Sequence, residues 1–357
     1  MDLVTASVLL LGGSVGLLGA LVLLIAGRKA LRDARESAST RRRGRYYAAF
    51  AAGDRKVLRK VLGSVRDRAT EVDLAIVLRD QARLAVDPAV LDIEARRSGL
   101  TRRLHGQLGS HRPPARGRAV LILTHLRLPG RVGQLERMLG DDDPDVRLVT
   151  CAGLPLARDA DAVGALIRAL SRRQLAPERV IERLGQPWAV DALLDALHAL
   201  DEPGERQAGP LVGIVRALGV AGDRRAEPVL IDLLREGGTE ERISAARALG
   251  GIGEPGGCHE LERALKDPSW PLRAQAAKAL AKVAVDRSAP ALEAVLDDPA
   301  WWVRANAATA LRGLGAPGRA ALERALTHDD PFARDRAHEA LAIDRLAAQA
   351  VRRHQGR

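Results

Sequence analysis

Cysteine occurs only at Cys151 and Cys258, far apart and outside any C-x-x-C or Cys/His spacing. That excludes a disulfide framework and a thiolate zinc site, and it fits two reduced thiols. Aromatic residues make up 2% of the chain, so the interior has to be built from Ala, Leu, Val and Ile, a composition suited to closely packed helices. Alternating apolar and polar runs, the mark of strands, are missing as well. Without strands no Gly-rich turn has the strand-turn-helix setting that would make it a nucleotide cradle. The eight histidines are scattered.

Positive charge is also lacking where a phosphate-tracking groove would need it. Residues 1–134 hold 25 Lys+Arg against 11 Asp+Glu, whereas residues 135–357 hold 31 against 34, so the net charge of +11 belongs to the first part of the chain. The distribution, more than the total, bears on partners. Arginine far outnumbers lysine and Ala and Gly are abundant, which suggests a high-GC bacterial source.

What is present is a repeat. Glu240 to Gly250 reads EERISAARALG, and PLRAQAAKALA, WVRANAATALR and FARDRAHEALA follow it. Arg242, Arg273, Arg304 and Arg334 each stand seven residues before Leu249, Leu280, Leu311 and Leu341, giving periods of 31, 31 and 30 residues. A fixed period of this length means a stacked array whose units bury their apolar faces against neighbours. The terminal leucine can be followed back through Leu218, Leu184, Leu154 and Leu126 with less regular spacing, which makes eight units. Asp-Pro pairs at Asp143, Asp267, Asp298 and Asp330 are expected to cap the second helix of a unit, with Pro in its first turn. Gly222, Gly250-Gly251 and Gly313 to Gly315 are expected to stop that helix.

At the other end, Leu3 to Ala26 carries no charge over 24 residues, enough to cross a hydrocarbon core of about 30 Å. Only Asp2 precedes it, and Arg28, Lys29, Arg32, Arg35, Arg41, Arg42, Arg43 and Arg45 follow it. The expectation is a transmembrane helix over residues 1–27 with the N-terminus outside, a basic juxtamembrane segment over 28–45 in contact with anionic lipid, and cytoplasmic repeats at a bacterial inner membrane. Ser37 to Thr40 is expected to be irregular. Gly12 and Gly16 have the small-xxx-small spacing of a helix dimer. Residues 46–117 then form divergent basic helices, with Gly109 to Gly117 as a loop, and residues 346–357 a basic tail.

The phrase Asp-Pro-x-x-x-x-Arg followed by Ala-Ala-x-Ala-Leu, as in Asp298, Pro299, Arg304, Ala307, Ala308, Ala310 and Leu311, resembles the HEAT-repeat family. The likeness is to the bacterial short HEAT units also found in phycobilin lyase-type repeats, and it covers residues 118–345. It implies an all-α fold, a right-handed α/α superhelix or HEAT-like solenoid, here preceded by the transmembrane helix. It also implies a ladder in which Asp267, Asp298 and Asp330 pair with Arg273, Arg304 and Arg334 of adjacent units. Pro177 and Leu211 stand at the arginine position of two earlier units. The motif speaks for fold and not for activity.

His259-Glu260 and His338-Glu339 invite comparison with HEAT-like deoxyhypusine hydroxylases, but two such steps at unlike places in the repeat do not enclose a di-iron site. No catalytic residue, metal or cofactor is expected. Trp270 and Trp301 occupy the same place in successive units, with Trp302 and Phe332 beside that row, and aromatic rows anchor protein interfaces. The functional expectation is a membrane-anchored adaptor that binds a protein, such as a membrane-bound polysaccharide glycosyltransferase. The rival is a nucleic-acid-binding protein using residues 55–131, with Arg55, Lys56, Arg59, Lys60, Arg66 and Arg68 on phosphate. An enzyme is the third class.

Overall fold

The computed structural model describes residues 3–80, 86–126, 128–172, 175–200, 208–283 and 286–355, with side chains placed for those from 28 to 343 except 157 and 208. Among the described residues every regular element is a helix. The chain divides into two compact units, Met1–Arg131 and Val132–Arg357.

The first unit holds α1 (Leu3–Ala52), α2 (Arg55–Gly63), α3 (Arg68–Arg79), α4 (Pro88–Arg97), α5 (Leu100–Leu108) and α6 (Pro113–Leu123). Aspartates punctuate it. Asp54 accepts from the amides of Lys56 and Val57, Asp67 forms a capping box with Thr70, and Asp87 precedes Pro88 at the first turn of α4. The expected loop from Gly109 to Gly117 is shorter, because Pro113 sits at the start of α6, where its missing N–H removes no helical bond.

Two expectations for the N-terminal region are corrected. Helix α1 runs without interruption through Ser37 to Thr40 as far as Ala52, burying Tyr46, Ala49 and Phe50 at its C-terminal end. Through this end it packs on α2 and α3. Among the described residues no helix is long and apolar enough to cross a membrane, which overturns the single-pass inner-membrane placement and its orientation. The side chains of residues 3–26, including the Gly12/Gly16 pair, lie outside those described, as do the side chains of the tail 346–357.

The basic surplus of this unit is partly internal. Glu71, Asp73 and Glu94 are all but buried. Arg118 pairs with Glu71 at 2.8 Å, Arg42 with Asp73 at 2.6 Å and Arg59 with Glu94 at 2.7 Å. The Arg59 guanidinium holds the Glu94 carboxyl below the usual carboxylate range. Burying a carboxylate is tolerable only with such partners.

His125 is largely buried near Arg131 and Arg79, and burial first, then those two cations, pushes it down to about 4 from 6.5. The unfolded chain therefore takes up this proton at higher pH than the folded one. Its contribution is complete above pH 6.5 and declines as pH falls toward 4, by up to about 3 kcal/mol. His125→Leu is expected to flatten the fall in urea stability over that window. An unchanged slope would contradict the burial of a neutral imidazole.

The second unit comprises α7 (Arg131–Met138), α8 (Pro144–Gly153), α9 (Ala160–Ser171), α10 (Pro177–Leu184), α11 (Val190–Leu200), α12 (Ala208–Ala221), α13 (Glu227–Glu236), α14 (Thr239–Ile252), α15 (Cys258–Ala264), α16 (Trp270–Val283), α17 (Ala289–Glu293), α18 (Trp301–Gly313), α19 (Gly315–Ala325) and α20 (Pro331–Gln355). The second helices of the repeats, α8, α10, α12, α14, α16, α18 and α20, stack each on the next. Each of α9, α11, α13, α15, α17 and α19 packs on the second helix that follows it. The repeated Ala-Ala-x-Ala-Leu phrase is the buried stripe of the stack: Ala276, Ala277 and Leu280 in α16 and Ala307, Ala308 and Leu311 in α18 are each at most 5% exposed. Removing a leucine of this size from water is worth about 2 kcal/mol.

Small residues set the spacing. Gly250 and Gly251 were expected to end a helix, yet both lie within α14, whose stop is Gly253 at φ 77°, donating its amide to the Leu249 carbonyl. A Cβ on Gly250 would stand 2.8 Å from the Cα of Ala279, and one on Gly219 would stand 2.5 Å from the Cα of Ala248. These glycines let neighbouring second helices touch backbone to backbone.

Candidate functional site

The most distinctive surface of the second unit is built where the turns enter α16, α18 and α20. Its scaffold is a repeated arginine clamp. Arg273 donates through Nη1 to the carbonyls of Asp267 and Pro268 at 2.8 and 3.1 Å. Arg304 does the same to Asp298 and Pro299 at 2.6 and 3.1 Å, and Arg334 to His328 and Asp329 at 2.7 and 2.9 Å. Arg147 repeats the pattern on Asp141 and Asp142. Each arginine thus satisfies carbonyls of its own turn that no helix pairs.

The remaining edge of the guanidinium reaches the next repeat. Arg242 meets Asp267 at 2.7 Å, and Arg273 grips both oxygens of Asp298, Nε at 2.6 Å and Nη2 at 2.9 Å. Pairing therefore runs from the arginine of one unit to the aspartate of the following one. The third expected rung does not form: among the described residues no ion pair joins Arg304 to Asp330. The reason is register. Asp267 and Asp298 stand six residues before their own arginine, whereas Asp330 stands only four before Arg334. The residue six before Arg334 is His328, and its Nδ1 accepts from the Asp330 amide at 3.0 Å, as Asp267 and Asp298 accept from Ser269 and Ala300 at 2.8 Å. His328 has taken the place of the ladder carboxylate. The spacing carried this signal, but the recurrence of the Asp-Pro dipeptide masked it.

The same shift corrects the capping expectation. Asp330 caps α20 through the amide of Ala333, with Pro331 in the first turn, but Asp267 and Asp298 fold an Asx turn ahead of α16 and α18, and Pro268 and Pro299 precede those helices.

Above this clamp lie the aromatics. Trp270 and Trp301 are each 47% exposed, Trp302 58% and Phe332 57%. In so small an aromatic complement, half-exposed rings in one place are notable because each leaves a large apolar face in water. Trp301 and Trp302 stack edge to face at 4.6 Å. Arg336 lies 5.9 Å from the Trp301 ring and Arg304 4.7 Å from that of Phe332, both within cation–π range. Pro268, Trp270, Arg273, Pro299, Ala300, Trp301 and Trp302 line an open groove of about 450 Å³.

The other candidate residues are placed elsewhere. Glu260 pairs with Arg235 at 2.8 Å and Arg263 at 2.9 Å, and Glu339 with Arg336 at 2.5 Å. Among the described residues no group of three or more His, Cys, Asp and Glu side chains could hold an ion. Both cysteines are buried, which pushes the Cys151 thiol up to about 11 and raises that of Cys258, whose Sγ lies 3.0 Å from Ser288 Oγ. Neither is a thiolate near neutrality. Of the basic residues in the first unit, Arg28, Lys29, Arg32, Arg35, Arg41 and Arg45 are exposed, while Arg42 and Arg43 turn toward Asp73, 2.6 and 3.9 Å away. Arg55, Lys56, Lys60, Arg66 and Arg68 are exposed, and Arg59 is tied to Glu94.

Arginine clamps thus recur at the repeat period across a stack of paired helices, and Asp298 joins the clamp of Arg273 to that of Arg304. Residues 260–342 match the HEAT repeats. The HEAT match covers the turns into α16, α18 and α20 and hence the clamp and the aromatic row. No curated protein matches the chain significantly in sequence. Among solved structures the chain is similar to an engineered protein at 18% identity, covering 86% of this chain and 95% of that one with a TM-score of 0.34. It is also similar to human deoxyhypusine hydroxylase, solved with glycerol, at 20% identity over 68% of this chain and 95% of that one, TM-score 0.30. The complex of CpcE and CpcF of phycocyanin lyase from Nostoc sp. is similar at 18% identity over 81% and 94%, TM-score 0.28.

Proposed function

We propose that the HEAT-type second unit is a non-catalytic scaffold that docks a protein segment on the aromatic groove at the entrances to α16 and α18, with Phe332 at the start of α20 beside it. The observation that carries this reading is the row of Trp270, Trp301, Trp302 and Phe332, half-exposed on a backbone held by the arginine clamps. Rigid aromatic rings lose little side-chain entropy on binding and bury much apolar area, which is why they dominate interface energetics. The open groove suits an extended segment better than a small molecule, which needs an enclosed pocket.

A photo-crosslinking amino acid at Trp302 is expected to capture a discrete partner in native cells, and one at Val220, exposed on α12, is not. Trp270→Ala with Trp301→Ala should abolish that capture while the far-ultraviolet spectrum and melting temperature stay within about 2 °C of the parent. A melted double variant would show that the rings are core and not surface.

No described residue favours a glycosyltransferase client, an anionic lipid surface or a homodimer through residues 3–26 over other partners. The nucleic-acid alternative rests on Arg55, Lys56, Lys60, Arg66 and Arg68, the exposed basic residues of the first unit. It requires binding that weakens steeply with salt, and the loss of Arg42, Arg59 and Arg118 to internal pairs reduces the charge available for it.

A further inference from the structure

One rung of the ladder has no carboxylate, and the arginine that faces the gap is buried. In the complete rung the Nε and Nη2 edge of Arg273 holds Asp298 while Nη1 holds the turn carbonyls. Arg304 makes the second half of this arrangement through Nη1, but the residue of the next repeat at the matching place is His328. Arg304 is only 7% exposed and its Nε has no hydrogen-bond partner. A buried donor of a charged group left in this state is costly, and it marks where an acceptor is wanted. Arg147, whose following unit also lacks a ladder aspartate, shows the same orphaned Nε. Of these two, Arg304 is the one whose guanidinium lies against an exposed ring, Phe332, and it stands on α18 one turn after Trp301, which lines the groove with Trp302.

We propose that Arg304 is a recognition point beside the aromatic groove, taking the carboxylate of an Asp or Glu from an extended partner segment whose neighbouring apolar residues lie on Trp301 and Trp302. The choice of ligand follows from the donor edge: the same edge, one repeat earlier, holds a carboxylate with two parallel bonds, the geometry a guanidinium fork prefers. Phe332, 57% exposed and stacked on Arg304, turns aside to admit it. The inference rests on the groove being a docking surface.

The probe is an acetylated, amidated peptide of three Pro-Leu-Glu repeats, with a Pro-Leu-Gln peptide as its neutral counterpart, titrated into the full chain and followed by intrinsic tryptophan fluorescence. The acidic peptide is expected to bind about tenfold or more tighter than the neutral one, the value of a charge-assisted bond to a buried guanidinium. His328→Asp keeps the cap on Asp330 and supplies the carboxylate from within the chain. It should raise the melting temperature by about 2–4 °C and bring the acidic peptide down to the affinity of the neutral one, which itself is unchanged. Equal affinities for the two peptides, both abolished by Trp301→Ala with Trp302→Ala, would leave the groove standing and overturn the carboxylate. Failure of both peptides to bind would overturn the groove as well. A His328→Asp variant that retains the acidic preference would also refute the proposal.

Discussion

Gly250→Val is expected to lower the unfolding free energy by about 3 kcal/mol, the upper part of the range for overpacking a well-filled interface. A Cβ at this position stands 2.8 Å from the Cα of Ala279 and 2.9 Å from its Cβ. Backbone atoms cannot rotate out of the way, so α14 and α16 have to separate along their shared length. The equivalent contact of Gly219 with Ala248 sits one repeat earlier, so the spacing of three consecutive second helices depends on these two positions. In a stacked array each repeat touches only its neighbours, so the loss concentrates at one interface. Urea unfolding measures it. Gly250→Ala should cost less, and adding Ala279→Gly should recover part of that cost, because the pair shares one contact. A Gly250→Val protein that unfolds like the parent would refute the close approach.

The second large effect is expected at Asp298. It is 8% exposed, receives both donors of Arg273 and accepts the amide of Ala300. Asp298→Ala leaves the Arg273 edge unpaired in a nearly dry place, and about 3 kcal/mol is the expected loss, the low end for breaking a buried pair. Replacing both partners, Arg273→Met with Asp298→Ala, should cost less than the two single changes together, since no charge is then stranded. Burial alone would raise the Asp298 carboxyl, but the Arg273 guanidinium and the Ala300 amide outweigh it and hold it below the ordinary value of 3.8. This stability is present above the unfolded pKa and disappears as pH falls below about 4 through the folded one. Asp298→Asn keeps the turn and removes the charge, so its stability should be less pH-dependent on the acid side than the parent's. If the variant matches the parent at every pH, the rung contributes nothing.

How much of this was legible differs from residue to residue. The period of Arg242, Arg273, Arg304 and Arg334, and the buried stripe of Ala and Leu that follows each, could be read directly, because both are patterns along the chain. The aromatic row could be singled out, though not its exposure, which depends on what packs above it. The glycines of α14 were read by the commonest role of their type, helix termination, and only the distance to the neighbouring helix shows that two of them serve close packing while Gly253 ends the helix. The apolar run Leu3 to Ala26 was read as a membrane span from composition. The helix that contains it continues to Ala52 and packs in its unit through the end that carries Tyr46, Ala49 and Phe50, a continuity that no window of composition reports.

Taken alone, the order of residues determined an all-helical array, its repeat length and the residues able to form a ladder, since helical periodicity and turn chemistry act over a few neighbours in the chain. Which arginine meets which aspartate, that His328 replaces the last carboxylate, and that Arg42, Arg59 and Arg118 serve buried acids were decided only in three dimensions. Ion pairs and hydrogen bonds act over about 3 Å, and a slip of two residues, as between Asp298 and Asp330, moves a carboxylate beyond that reach while leaving the repeat recognisable.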